Sequence, residues 1–173
     1  TYYDKILTQD PKHISSLNNK GYALSKLKDF SNAMKCYDSA LDICPTDLSV
    51  LINKISSFRK QGNLIEALSI CDDILKNNLN YNIVLYHKER ILFSMNKFDE
   101  SISCCNSILE DYPDNGDVLF DKASNYVMLS NYDTALDLLE RAISKGIQYK
   151  IKAKKSKSFE NLSNNIRFQN LIS

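Results

Sequence analysis

The sequence predicts an all-α solenoid of stacked antiparallel helix pairs, ending in a C-terminal capping segment. Three observations predict it. First, Pro11, Pro45 and Pro113 are spaced by 34 residues (45 − 11) and 68 residues (113 − 45), one and two lengths of the same ruler. Second, sliding the chain by 34 superimposes five series without an insertion. These are Leu17, Leu51, Leu85, Leu119; Lys20, Lys54, Lys88, Lys122; Phe30, Leu64, Phe98, Tyr132; Ala33, Ala67, Ser101, Ala135; and Ala40, Ile74, Ile108, Ala142. A fixed period of this length marks a repeat architecture, in which each unit buries its apolar face against its neighbours. Third, only three prolines and four glycines occur in 173 residues, and long β-branched alternation is lacking, which favours helix and leaves few loops.

Each unit divides into two helices. In the first, Ile14, Leu17, Gly21, Leu24 and Leu27 trace one stripe at helical spacing, and Ala33, Tyr37, Ala40 and Leu41 trace another. The connection "KDFSN" (28–32) is polar except for Phe30, and "QGNL" (61–64), "NKFD" (96–99) and "SNYD" (130–133) repeat that design with one apolar residue to pin the turn. The second helix is expected to stop near Pro45 and Pro113, because proline cannot continue it. Asparagines in "KNNLNYN" (76–82) take that role in the second unit, and Gly146 is expected as a left-handed cap in the fourth. The predicted units are 14–47, 48–81, 82–115 and 116–149.

The ends follow the same ruler. Tyr3, Ile6 and Pro11 fall one period before Tyr37, Ala40 and Pro45. Residues 1–11 therefore read as the second helix of a truncated N-terminal repeat, and the parent chain is expected to extend N-terminally with more repeats. In 150–173, "KIKAKKSK" reads as a last first-type helix, with Phe159, Leu162, Phe168 and Leu171 folding back over the fourth unit. A terminal cap is expected to carry a polar outer face.

Gly21 costs its helix roughly 1 kcal/mol relative to alanine. It is expected to be a packing notch opposite Ala33. Gly21→Leu should then cost roughly 1–3 kcal/mol by overpacking, and Gly21→Ala should be neutral or mildly stabilising. Ile55 and Glu89 take the same register in the middle units, which predicts wider or tilted packing there.

The pattern resembles the tetratricopeptide repeat. Leu17, Gly21, Leu24, Ala33, Tyr37, Ala40 and Pro45 match its 34-residue unit, as do Leu119, Ala123, Tyr126, Ala135 and Ala142 in the fourth. The second unit matches at Leu51, Phe58 and Ala67, and the third at Leu85, Leu92 and Pro113; Lys20, Ile55, Leu79, Glu89 and Ser101 depart. The resemblance covers 14–149 and implies a right-handed superhelix whose first helices line a concave groove for an extended peptide or a partner helix. The tail "SFENLSNNIRFQNLIS" resembles the endings of such proteins, which places Ser173 near a natural C-terminus.

Mapping the family's groove positions gives Asn18, Tyr22 and Lys26 in the first unit, with Asn19 and Ser25 beside them. The second gives Ile52, Asn53, Arg59 and Lys60, with Ser56. The third gives Tyr86, His87, Arg90 and Phe93; the fourth gives Phe120 and Asp121, with Ser124 and Val127. Lys26, Arg59, Lys60 and Arg90 make the middle basic, and Asp117 and Asp121 make the far end acidic. Tyr22, Ile52, Tyr86, Phe93 and Phe120 supply apolar area, and aromatic and arginine side chains are frequent binding anchors. Asparagine offers both donor and acceptor to a peptide backbone. The expected ligand is thus an extended protein segment with apolar anchors and acidic residues. The family's clamp for chaperone C-terminal tails maps to Asn18, Tyr22, Asn53, Ile83 and His87, where only Asn53 fits. Starting one unit later gives Ile52, Ser56, His87, Asp117 and Asp121, which fits worse and argues against that ligand.

Composition narrows the rest. With 22 basic and 21 acidic residues the net charge is +1, against non-specific nucleic-acid binding. No apolar run approaches the roughly 18 residues of a membrane span. Cys36, Cys44, Cys71, Cys104 and Cys105 are odd in number and lack framework spacing, which suggests reduced thiols and a cytoplasmic setting. His13 and His87 do not combine with them at zinc-ligand spacing. No phosphate loop, G-x-S-x-G or H-E-x-x-H motif occurs, so neither catalysis nor a cofactor is expected. The lysines of 150–157 read as a solubilising face rather than an anion-binding one. The predicted function is a non-catalytic interaction scaffold. The alternative is a substrate-recruiting or regulatory arm of a larger enzyme, such as a glycosyltransferase, with its catalytic domain upstream. Self-association through the face left by the truncated N-terminal repeat is a further expectation.

Overall fold

The computed structural model describes residues 2–77 and 82–173, which form α-helices and one short 3-10 helix, with no strand among the described residues. They group into two compact units, Thr1–Leu79 and Asn80–Ser173. The N-terminal unit holds α1 (Tyr2–Gln9), α2 (Ile14–Lys26), α3 (Phe30–Ile43), α4 (Leu48–Gln61) and α5 (Leu64–Asn77). The C-terminal unit holds α6 (Asn82–Ser94), α7 (Phe98–Asp111), α8 (Gly116–Met128), α9 (Tyr132–Lys145), α10 (Ile147–Lys155), the 3-10 helix Lys157–Leu162 and α11 (Ile166–Ile172). First-type helices begin at Ile14, Leu48, Asn82 and Gly116, and second-type helices at Phe30, Leu64, Phe98 and Tyr132, so the ruler in the sequence is a ruler of helix starts.

Local chemistry sets those starts. Asp47 and Asn115 accept hydrogen bonds from the amides of Val50 and Val118 at 3.0 and 3.2 Å, and His13 Nδ1 does the same for Ser16 at 3.2 Å. Asp29 and Asn131 cap α3 and α9 through Asn32 and Thr134. Each such cap contributes about 1 kcal/mol by satisfying an amide left open in the first turn.

The turns inside the pairs share a device. Lys28, Gly62, Asn96 and Ser130 adopt φ of 65°, 90°, 59° and 59°, all left-handed, at positions one period apart. Just beyond each, the amides of Asp29, Asn63, Lys97 and Asn131 donate to the carbonyls of Leu24, Phe58, Leu92 and Tyr126, each at 2.9 Å. This is the Schellman ending, which turns the chain and satisfies an orphan carbonyl. Only the second unit places glycine there. Lys28→Gly should therefore raise stability by about 0.5–1 kcal/mol, and Gly62→Ala should lower it by about 1 kcal/mol. Urea unfolding checks both, and equal midpoints for all three proteins would contradict the strain.

Gly146, expected to be a left-handed cap, is extended at φ 170° and ψ 142°. One extended residue suffices to redirect the chain, so α10 begins at Ile147, three residues before the predicted 150. The asparagine stop expected in 76–82 falls largely outside the described residues.

Each unit has its own core. In the N-terminal unit Leu17, Ala33, Tyr37, Ala40 and Val50 cluster, with Leu7 of α1 packed against them. In the C-terminal unit Leu119, Leu136 and Leu139 join Tyr149, Phe159, Leu162 and Phe168. Phe159, Leu162 and Phe168 come from the predicted capping segment, as does Leu171 packed against them, and Tyr149 comes from the first turn of α10. Phe159 stacks on Phe168 at 5.7 Å between ring centroids. Fully burying one such side chain contributes about 1.5–3 kcal/mol, so the cap is held mainly by its aromatics.

Gly21 is a notch, but it faces Tyr37 rather than Ala33. A Cβ there would lie 2.6 Å from Tyr37 Cε1 and 2.9 Å from Cδ1. In the third unit Glu89 occupies this register and is 2% exposed. Its room comes from Ser101, whose hydroxyl lies 3.1 Å from Glu89 Oε1 and 3.2 Å from the Glu89 carbonyl oxygen. The two departures from the repeat pattern are therefore partners. All five cysteines are thiols outside any disulfide, and burial pushes the Cys105 thiol up.

Candidate functional site

In the N-terminal unit the predicted binding residues lie on α2 and α4. Asn18, Tyr22 and Lys26 recur every four residues on α2, hence on one face. Asn53 Nδ2 donates to Asn18 Oδ1 at 2.9 Å, so these asparagines join α2 to α4. Tyr22 is 45% exposed. Lys26 Nζ and Lys60 Nζ stand 5.3 and 6.0 Å from the centroid of its ring. Neither ammonium makes an ion pair among the described residues, and both are exposed. Two cations from different helices thus flank one aromatic surface, with half-buried Ile52 and Arg59 also on α4.

The C-terminal unit treats its charges differently. Arg90 on α6 covers the Tyr86 ring, with its guanidinium carbon 4.2 Å from the centroid, and donates to the Tyr86 hydroxyl. It also pairs with Asp121 of α8 at 3.2 Å. Asp121 is approached on another side by Lys152 of α10 at 3.4 Å, and Lys152 lies 4.1 Å over the Phe120 ring. Phe120, expected on the groove, is 2% exposed because Tyr149, Phe159 and Lys152 cover it. Burial pushes the Tyr86 hydroxyl up to about 12, so it stays neutral. Phe93 packs edge-on against Phe98 at 5.5 Å, and His87 lies edge-on to Tyr86 at 6.4 Å. A cleft of about 370 Å³ opens beside Ile83, Tyr86, Ile108, Tyr112 and Asp117.

The basic middle and acidic end read from the sequence are thus unlike in kind. Lys26 and Lys60 are exposed and make no ion pair among the described residues, whereas Arg90, Asp121 and Lys152 largely neutralise one another. A signal for the latter was present in the spacing. Arg90, Asp121 and Lys152 are 31 residues apart, one period less one helical turn, which brings side chains of successive first-type helices together. Lys145 and Asp114 pair at 2.7 Å across the same interval.

Sequence reasoning also missed a buried polar cluster. Asn125 of α8 is fully buried and donates to Glu89 Oε1 at 3.3 Å and to the Asp121 carbonyl at 3.0 Å. Burial, reinforced by Asp121, pushes the Glu89 carboxyl up to about 7. Among the described residues no group of three His, Cys, Asp or Glu is arranged to hold a metal, and no helix is long and apolar enough to cross a membrane.

A family profile described as the tetratricopeptide repeat matches residues 14–47. No match is found among curated proteins. Solved structures share the fold. One is a tetratricopeptide repeat protein from Parabacteroides merdae, at TM-score 0.70 and 18% identity, with 91% of this chain and 63% of that chain covered. This chain thus spans less than two thirds of that protein. A crystal structure of MamA superimposes at TM-score 0.71 and 17% identity over 87% of each chain. A MamA RS-1 double mutant does so at 0.70 and 12%, covering 91% of this chain and 93% of the other.

Proposed function

We propose that the chain is a tetratricopeptide-repeat protein and a non-catalytic interaction scaffold, with repeats at 14–47, 48–81, 82–115 and 116–149, whose α2–α4 face binds an acidic, apolar-anchored protein segment. The observation that carries this is Tyr22, half open to solvent, with the unpaired Lys26 and Lys60 at its ring. A carboxylate placed between the two ammoniums gains charge-assisted contacts, and an apolar side chain beside it gains the ring and Ile52. Arg90 is not part of this surface chemistry, since its guanidinium is held by Tyr86 and Asp121.

Peptide display on the purified chain, followed by titration of the selected peptides, tests the proposal. Selected sequences should be rich in Asp and Glu next to an aromatic or branched residue. Lys26→Glu/Lys60→Glu should weaken them by about tenfold, or about 1.4 kcal/mol, and added salt should weaken them further. Selection without acidic enrichment, or affinity indifferent to the double substitution, would refute the proposal.

A further inference from the structure

We propose that the outer face of α10 docks an acidic amphipathic helix of a partner protein, laid alongside α10 as one more first-type helix. This surface is separate from the α2–α4 face and does not depend on it. Tyr149 and Ala153, 7% and 2% exposed, fix which side of α10 is inward. The opposite side carries Ile147 and Ile151, one turn apart and 65% and 50% exposed. Lys154 follows Ile151 at the next position on that face. Lys150, Lys154, Lys155 and Lys157 surround this stripe, and none makes an ion pair among the described residues. In the same unit Arg90, Lys97, Lys145, Lys152 and Arg167 have carboxylate partners, and Arg141 donates to the Pro113 carbonyl.

A cap that only ended the stack would present a polar outer face, as the sequence led us to expect. Solubilising lysines need no exposed isoleucines between them. The charge of the occupant follows from the cations left unpaired on α10. Arg90 of α6 meets Asp121 of α8, and Asp121 meets Lys152 of α10. Lys152 is thus taken by Asp121, so the charge that α10 offers outward is that of Lys150, Lys154 and Lys155, and the helix that complements it is acidic with a narrow apolar stripe. A bilayer is the poorer fit, because two isoleucines on a nine-residue helix form a small apolar face for insertion.

The probe is a pair of synthetic helical peptides of about 18 residues sharing one leucine stripe, flanked by Glu in one and by Lys in the other. Fluorescence anisotropy with the intact chain should show binding of the Glu peptide and not the Lys peptide. Ile147→Ser/Ile151→Ser and Lys150→Glu/Lys154→Glu/Lys155→Glu should each weaken binding by about tenfold or more. Both variants change exposed side chains, and circular dichroism verifies that they fold. Lys26→Glu/Lys60→Glu should leave this binding unchanged, which separates it from the α2–α4 face. Three results would overturn the proposal: no binding of the Glu peptide, binding insensitive to the α10 variants, or α10-dependent attachment to phosphatidylserine vesicles stronger than to the peptide. Concentration-dependent dimerisation abolished by the α10 variants would instead assign the face to a second copy of this chain.

Discussion

Glu89→Gln is expected to stabilise the protein by about 3 kcal/mol at neutral pH while changing little at pH 4.5. The folded carboxyl titrates near 7, raised from 4.5 by burial and then by Asp121, and lowered in smaller measure by Ser101, Asn125 and Arg90. A carboxyl whose folded value lies above its unfolded value stabilises the fold fully below the unfolded value. That contribution is lost as pH rises to the folded value. Wild-type stability should therefore fall between pH 4.5 and about 7 and level off above, by about 1.4 kcal/mol per unit. Geometry supports the neutral acid independently. Glu89 Oε2 and Asn125 Oδ1 both lack a hydrogen-bond partner among the described residues, so the cluster has two acceptors in want of a donor. Glutamine keeps an acceptor for Ser101 and Asn125 and removes the titration. Urea unfolding at several pH values decides: parallel profiles for the two proteins would rule out a buried titrating acid.

Gly21→Ala should destabilise by about 1–2 kcal/mol, and Gly21→Leu by considerably more. The new Cβ meets the Tyr37 ring at 2.6 Å, and Tyr37 is fully buried, so the ring has no free direction in which to yield. Overpacking of about 1–3 kcal/mol outweighs the ~1 kcal/mol gained in helix propensity. The near-neutral alanine expected from the sequence is thus reversed by one ring. A double-mutant cycle isolates it: in a Tyr37→Leu background the alanine penalty should shrink or change sign. If the penalty persists unchanged there, Tyr37 is not its cause.

How much could be read beforehand depends on the kind of information each feature carries. The ruler was legible because one residue type recurs at one place four times, as with Leu17 and its series. The helix starts followed because Phe30, Leu64, Phe98 and Tyr132 pin equivalent turns. The left-handed position inside those turns was hidden, because Lys28, Gly62, Asn96 and Ser130 share no chemistry and only their backbone repeats. Candidate groove residues were legible as types but not as states. Lys26 and Arg90 look alike in a list of groove positions, yet one stands open beside Tyr22 and the other is closed by Asp121. Phe120 reads as an anchor until the cap from Tyr149 to Phe168 is laid over it. Glu89 and Ser101 look like two flaws when aligned with other units and like one hydrogen bond when aligned with each other.

Asp121 shows how one carboxylate can set the charge of a helical surface. It holds Arg90 from one side and Lys152 from the other, so it acts as a stopper on two cations at once. A chain with asparagine there would keep its helices and caps, while Arg90 and Lys152 would lose their shared counter-ion, leaving Arg90 on Tyr86 and Lys152 with Asp117 at 3.8 Å. One altered carboxylate would thus make this part of the C-terminal unit more basic without any change at Arg90 or Lys152.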